Sequence, residues 1–508
     1  MSQLRQLLLS DREYDLLLAT IKDSINDDPR FPQSPVRSRR QPVAKHNANI
    51  AAIRAACRVY LGVSGSLKLI DLLAASIRAR RSPRTEIPRR PLVASRQRLG
   101  LSIAALLFFH RTLYRLLTRL RFELLHEKVQ GIRKQWPGIY RLLTWRFIPA
   151  LGASLSGLAL GICGKDQLRV TIAIYVFVRA CELLFKGAEV AGYIRNRPRW
   201  FGSWILFALA QGQLLHTFVF DPECFPQAYG DTILRNTPEY LQKPPPNLSA
   251  KVTWPTDRQV VDSLAGMAQL RWPAFTSPIL TPKLSTTVSS GISSVISPIV
   301  SRAHPALHHL SCALLHPSET SCFTPFLRQF LLSFVSIGRF FTLYYSAFSL
   351  IRIRSTMKAP LESLARLVGQ ILKVTLVVTG AIAGSWGSIC LFNNFLPKSF
   401  LPKSRFFLGG LLAGSIAIID KSATAHENAM YVTRTSIDSL WKVGVKRRWW
   451  KGVNGGDVLL FTAALAALNV LYDAQKHTSM RTERTMSVIR VLRGDIEVGL
   501  SDDKPKAE

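Results

Sequence analysis

The run Val374–Phe392, VTLVVTGAIAGSWGSICLF, contains no charged side chain. It matches the ~20 apolar residues an α-helix needs to cross a bilayer, where each backbone amide must bond within its own segment. That requirement sets the expected class: an all-α, polytopic membrane protein. Further apolar blocks fall at Phe147–Cys163, Leu168–Phe185, Ser203–Phe220 and Gln329–Ile351, the last with Arg339 at its centre. Ser404–Ile419 and Val458–Tyr472 are apolar but short. Nearer the start, Ile50–Ile77 is interrupted by Arg54, Arg58, Lys68 and Asp71, and Leu99–Phe109 alone is too short to span.

Two of these regions share a plan. In Phe406–Asp473 a glycine-rich apolar helix precedes a charged helix, a basic hairpin and an apolar helix; Phe147–Thr217 offers the same sequence of helix types. Gly157 and Gly410, Tyr175 and Tyr431, and Phe207 and Phe461 pair at a nearly constant offset. Such an offset across three elements predicts two related helical repeats. The expected organisation is a basic, partly disordered arm over 1–48, a first repeat over 49–220 and a Pro/Ser/Thr-rich linker over 221–305. A second repeat over 306–475 and a polar, soluble tail over 476–508 complete it.

Charge bears on partners. The chain has 66 Lys and Arg against 32 Asp and Glu, a formal net charge of +34. Nucleic acid is the first partner such an excess suggests, but here the bases flank apolar blocks. Their placement favours membrane lipids, anionic headgroups included, and no nucleic acid. The seven cysteines (57, 163, 181, 224, 312, 322 and 390) show no regular spacing and suit free thiols in a reducing compartment. The first residues offer neither an uninterrupted apolar signal core nor an acid-free amphipathic presequence, so any targeting signal is expected to be internal.

Three constellations bear on chemistry. Small residues four apart, Gly157 with Gly161, Gly380 with Gly384, and Gly410 with Gly414, place a smooth stripe on a helix. Such a stripe lets backbones approach closely, for ordinary packing or for a helix that slides on its partner. Glu182 with Lys186 and Asp438 with Lys442 are i,i+4 pairs, with Arg179 and Arg434 nearby. They read either as self-neutralised pairs or as a polar face lining a pathway. Finally, HHLSCALLHPSETSC gathers His309, Cys312, His316 and Cys322, but the gaps contain neither a CxxC nor an HxxxH core, so no metal site is expected. No phosphate loop, GxSxG elbow or HExxH occurs, and the glycine-rich segments lack a preceding strand. No catalytic residue and no cofactor are expected.

HPSETSC at 316–322, the aromatic helix behind it, RFFLGGLLAGSIAI, YVTRTSIDSLWKVG and NGGDVLLF together resemble the transmembrane protein 135 family, also described as a peroxisomal membrane protein. In that family an HP…SC element opens the segment, matched here by His316, Pro317, Ser321 and Cys322. A tyrosine, an acid, an aromatic, a base and a glycine then follow along one helix, matched by Tyr431, Asp438, Trp441, Lys442 and Gly444. A Gly-(Glu/Asp)-Val-Leu-Leu-Phe element corresponds to Gly456–Phe461. The first half lacks the HP…SC opening. The resemblance implies an integral protein of peroxisomal and mitochondrial membranes, non-enzymatic, tied to lipid handling and organelle dynamics, with other organelle membrane proteins as partners. The repeat is also distantly similar to the helical core of the mitochondrial inner-membrane translocases. Two other readings compete: a channel or transporter for small metabolites, and a scaffold that recruits division machinery through the basic arm. Cargo, orientation and oligomeric state are not legible from the sequence.

Overall fold

A computed structural model describes residues 48–81, 92–125, 130–194, 198, 200–246, 252–277, 290–351, 359–474 and 484–494. Most of the expected arm lies outside this set, as do parts of the linker and tail. The described residues are helical, with one isolated antiparallel bridge between Ala274 and His309. In chain order the first helices are α1 (Ala48–Arg81), α2 (Leu92–Leu125), α3 (Gln130–Gln135), α4 (Pro137–Thr144), α5 (Ile148–Ser154) and α6 (Gln167–Val190). There follow α7 (Ser203–Phe220), α8 (Gln227–Arg235), α9 (Asp257–Gln269), α10 (Ser290–Val300), α11 (Leu310–Leu315) and α12 (Phe323–Ile351). The last are α13 (Pro360–Phe395), α14 (Arg405–Gly414), α15 (Ala423–Lys446), α16 (Gly456–Ala474) and α17 (Arg484–Arg493).

Among the described residues, five helices are long and apolar enough to cross a membrane: Asn49–Ser76, Ser203–Phe220, Phe323–Leu350, Pro360–Phe395 and Gly456–Ala474. A sixth is counted if the pair Pro137–Thr144 and Ile148–Ile162, bent by 79°, is taken as one broken span. Apolar side chains on these helices remain exposed, among them Leu69, Leu72, Phe340, Leu343 and Phe348. Water would penalise that surface and hydrocarbon would not.

The chain divides into two compact units, Met1–Arg195 with Val453–Glu508, and Asn196–Gly452. In the first, α16 packs against α5, α6 and the 3-10 turn Leu155–Ile162. Its core joins Leu160, Ala173, Ala180 and Leu183 to Phe461, Leu465, Leu468 and Tyr472. Asn469 of α16 donates to Ser154 of α5 at 2.9 Å, and Asp457 takes Arg169 of α6 in a two-pronged bridge whose second bond is 3.1 Å. In the second unit α7 takes the central place, against α14, α15 and α9. Gln213 of α7 bonds Ser436 at 2.8 Å and Ser439 at 3.4 Å on α15, polar links between the two helices.

The segment expected to be a linker is otherwise. Tyr240, Val261, Leu264, Met267, Trp272, Phe275, Ile296 and Ile299 all join the core of the second unit. Its composition is rich in Pro, Ser and Thr, but apolar residues recur at helical spacing in VVDSLAGMA, and Thr256 starts α9 with a complete capping box to Gln259. The expected soluble tail also changes: α17 buries Met486, Ile489 and Arg493 in the first unit.

Candidate functional site

The second unit holds an open groove of about 810 Å³ between α12, α13 and α14 with the 3-10 turn that follows it. Phe323, Phe326 and Phe330 form one wall, and Leu391, Leu412, Ile416 and Ile418 contribute to the others. Gly380, Gly384 and Gly387 supply the floor on α13. A Cβ on Gly384 would meet the Ala413 Cβ at 3.0 Å, and one on Gly387 would meet the Phe326 ring at 2.7 Å. One on Gly380 would collide with the end of Ile416. The glycines thus let the walls stand close to α13.

At one end of the groove, Cys322 and Cys390 join a cluster with Cys312 and His316. Cys312 lies on α11, His316 caps its C-terminus, Cys322 immediately precedes α12, and Cys390 projects from the last part of α13. One ligating atom from each lies within 4.8 Å of all the others. Cys312 Sγ is 3.9 Å from Cys322 Sγ and 3.8 Å from Cys390 Sγ, and Cys390 Sγ is 3.5 Å from His316 Nε2. The other imidazole nitrogen, Nδ1, is 3.0 Å from the Glu319 carbonyl oxygen, and Asn394 Nδ2 approaches Cys322 Sγ at 3.8 Å. Hydrogen bonds with Cys312, Cys390 and His316 hold the Cys322 thiol well below its ordinary range, against the upward push of burial. Burial pulls the His316 imidazolium down, but hydrogen bonds with Cys312 and Cys322 and the charge of Cys312 outweigh it and raise the group to about 10.

Sequence spacing groups His309 with Cys312, His316 and Cys322. In the structure His309 starts α11 and its backbone pairs with Ala274, while Cys390 takes the fourth place. No local spacing could supply that partner, because it comes from the next long helix but one.

The charged pairs meet within their own helices. Lys186 Nζ lies 3.1 Å from Glu182, which also takes Arg179 at 2.6 Å, and Lys442 Nζ lies 2.7 Å from Asp438. Arg434 approaches Glu427 at 3.8 Å. Glu182 and Lys186 belong to the first unit and Asp438 and Lys442 to the second, and none of them lines the groove.

The remaining glycines differ. A Cβ on Gly410 would sit 2.6 Å from the Gln211 carbonyl oxygen and 2.8 Å from the Gly212 Cα, and one on Gly414 would sit 2.8 Å from the Ala208 Cα. One on Gly157 would lie 2.9 Å from the Thr462 Cα. Gly161 has nothing within 4 Å, contrary to the expected packing stripe. It follows Gly157 in a 3-10 turn, where three residues complete a turn and positions four apart diverge by ~120° instead of the ~40° of an α-helix.

Of the residues that carry the family resemblance, His316 and Cys322 belong to the cluster, Pro317 accepts from the His304 amide at 2.8 Å and the Ser321 hydroxyl accepts from the Phe323 amide at 3.2 Å. Trp441 stacks on Trp450 at 5.5 Å, and Gly444 leaves the room that the Trp450 ring fills; Tyr431 is exposed.

These features define a protein whose described regular structure is all-helical, with five described helices long and apolar enough to cross a membrane and an apolar groove lined in part by two of them, α12 and α13. No family model, curated protein or solved structure matches the chain.

Proposed function

We propose that this is a non-enzymatic, multi-pass protein of peroxisomal or mitochondrial membranes that handles lipids, holding an acyl chain in the groove of its second unit. The groove carries the reading. Its volume, about 810 Å³, falls in the ~300–1,000 Å³ range of small-molecule sites. Its walls are aliphatic and aromatic, and two of the helices that form them, α12 and α13, are long and apolar enough to span a bilayer. A groove so placed has hydrocarbon as its nearest occupant. The organelle and the part in organelle dynamics rest on the family resemblance alone.

The same reading takes the two halves as copies. Each offers a short helix running into a 3-10 turn, then a helix of 24 residues, then an apolar helix. In each unit the central apolar helix comes from the opposite half of the chain: α16 in the first and α7 in the second. Glycine and alanine contacts at Gly157, Gly410 and Gly414 seat those central helices. The self-paired charges of α6 and α15 support a structural role over a conducting pathway.

Photoreactive palmitate added to delipidated protein tests the groove. Saturable cross-links should map to α12, α13 and residues 412–418, and Leu412→Trp should lower binding at least tenfold while leaving helical circular dichroism unchanged. Absence of saturable labelling, or labelling indifferent to the tryptophan, would overturn it. Imaging a fluorescent fusion against peroxisomal and mitochondrial markers tests the compartment.

A further inference from the structure

We infer that Cys312, His316, Cys322 and Cys390 form a closed, structural zinc site. Four side chains supply one ligating atom each, three sulfurs and one imidazole nitrogen. With Zn–S of ~2.3 Å and Zn–N of ~2.0–2.1 Å, a regular tetrahedron has S···S edges of about 3.8 Å and S···N edges of about 3.5 Å. Of the six edges here, two between sulfurs are 3.8 and 3.9 Å and one from sulfur to Nε2 is 3.5 Å, while all six lie within 4.8 Å. Van der Waals contact alone can bring two sulfurs that close, but here four ligating atoms from three stretches of the chain converge within 4.8 Å of one another.

The surroundings fit as well. His316 Nδ1 faces the Glu319 carbonyl, which can only accept, so Nδ1 carries a proton and Nε2 is the nitrogen turned toward the sulfurs, the arrangement of most metal-bound histidines. Asn394 directs an amide N–H at Cys322 Sγ, as a donor does toward a bound thiolate. Cys312, His316 and Cys390 are each at most 2% exposed. Three thiolates and one imidazole fill a tetrahedral shell and leave no position for substrate or water, which makes the site structural. On binding, the cluster releases to solvent the three protons that its thiols and the imidazole Nε2 hold between them, and the product is a zinc tris-thiolate imidazole centre with one net negative charge.

The site would fasten the α11–α12 junction to the last turns of α13. Cys322 stands at the start of one long helix and Cys390 near the end of the next, so the metal would close one end of their hairpin. It is independent of the lipid reading, because it requires nothing of the groove.

Full-length protein purified in mild detergent under reducing conditions should carry one equivalent of zinc by elemental analysis. Cobalt exchanged for it should show the intense visible bands of tetrahedral cobalt and the near-ultraviolet charge transfer of thiolate ligation. Cys390→Ser or His316→Ala should lower metal content at least tenfold, while Cys57→Ser and Cys181→Ser should leave it at one equivalent. Asn394→Leu should weaken affinity about tenfold through loss of the outer hydrogen bond. If the ligand variants fail to fold, the cobalt spectrum of the unmodified protein still decides the matter. Protein without zinc and without a cobalt thiolate band would overturn the assignment, and so would an intact mass and thiol count that show a Cys312–Cys322 or Cys312–Cys390 disulfide.

Discussion

Arg493 reaches Asp473 across the first unit with Nη1 2.5 Å from Oδ1, and its side chain is fully shielded from solvent. The same guanidinium bonds the Asn469 carbonyl at 2.9 Å and lies 4.5 and 4.6 Å from the ring centres of Tyr114 and Tyr472. Removing one partner of a buried pair leaves the other charge uncompensated, at a cost of about 3–5 kcal/mol. Arg493→Ala should therefore lower the unfolding free energy of detergent-solubilised protein by up to about that amount, with a matching fall in the denaturant midpoint. Truncation before Arg484 should do at least as much. A midpoint unchanged in both would mean that α17 adds nothing to the unit.

Two glycine substitutions should part company. At Gly410 an added methyl meets backbone, the Gln211 carbonyl and the Gly212 Cα, and backbone cannot rotate aside. Gly410→Ala should destabilise by about 1–3 kcal/mol. Gly161→Ala, with open space around it, should stay within about 0.5 kcal/mol of the parent. Equal effects at the two positions, measured by the same unfolding titration, would contradict the packing described here.

Arg405 has a different task. It is 2% exposed, and its guanidinium bonds Asn393 Oδ1 at 2.8 Å and the carbonyls of Phe392, Leu396, Pro397 and Phe400. It thus braces the chain that leaves α13, next to a helix C-terminus whose dipole favours a cation. Arg405→Met should cost about 3 kcal/mol by taking the donor from Asn393 Oδ1 and from the Leu396 and Phe400 carbonyls. Hydrogen exchange should rise first in residues 390–400.

Asp221 gives a pH signature. Burial alone would raise its carboxyl, but hydrogen bonds and charge from Lys446 and Arg447, at 3.0 and 2.6 Å, hold it below the ordinary carboxylate range. The folded value lies under the unfolded one of ~3.9, so this stabilisation is complete above that pH and is lost as pH falls through the folded value. The stability difference between parent and Asp221→Asn should stay flat from neutral pH to about pH 5 and shrink below about pH 4. A difference that is constant across acid pH would show that the carboxylate is not held ionised by its partners.

Much of the helical content was legible before any coordinates. A charge-free run such as Val374–Phe392 leaves helix as the backbone's route to satisfied amides in lipid, and it lies inside α13. The i,i+4 pairs Glu182–Lys186 and Asp438–Lys442 were equally readable, because their partners lie one helical turn away. Composition misled where it averaged. In residues 221–305 the abundance of Pro, Ser and Thr outweighed the few apolar residues, yet Val261, Leu264 and Met267 at helical spacing suffice to anchor α9 in the core.

The sequence by itself determined the helices and their affinity for a membrane, since hydropathy and periodicity act over one or a few turns. Only the tertiary structure decided which groups meet across the chain. It brought Cys390 to Cys312, His316 and Cys322, Arg493 to Asp473, and α16 into a unit with α5 and α6. It also decided that Gly161 turns away from Gly157, because a local change of winding is set by packing. Contacts between distant segments depend on how helices pair in space, and no residue spacing within one helix encodes that pairing.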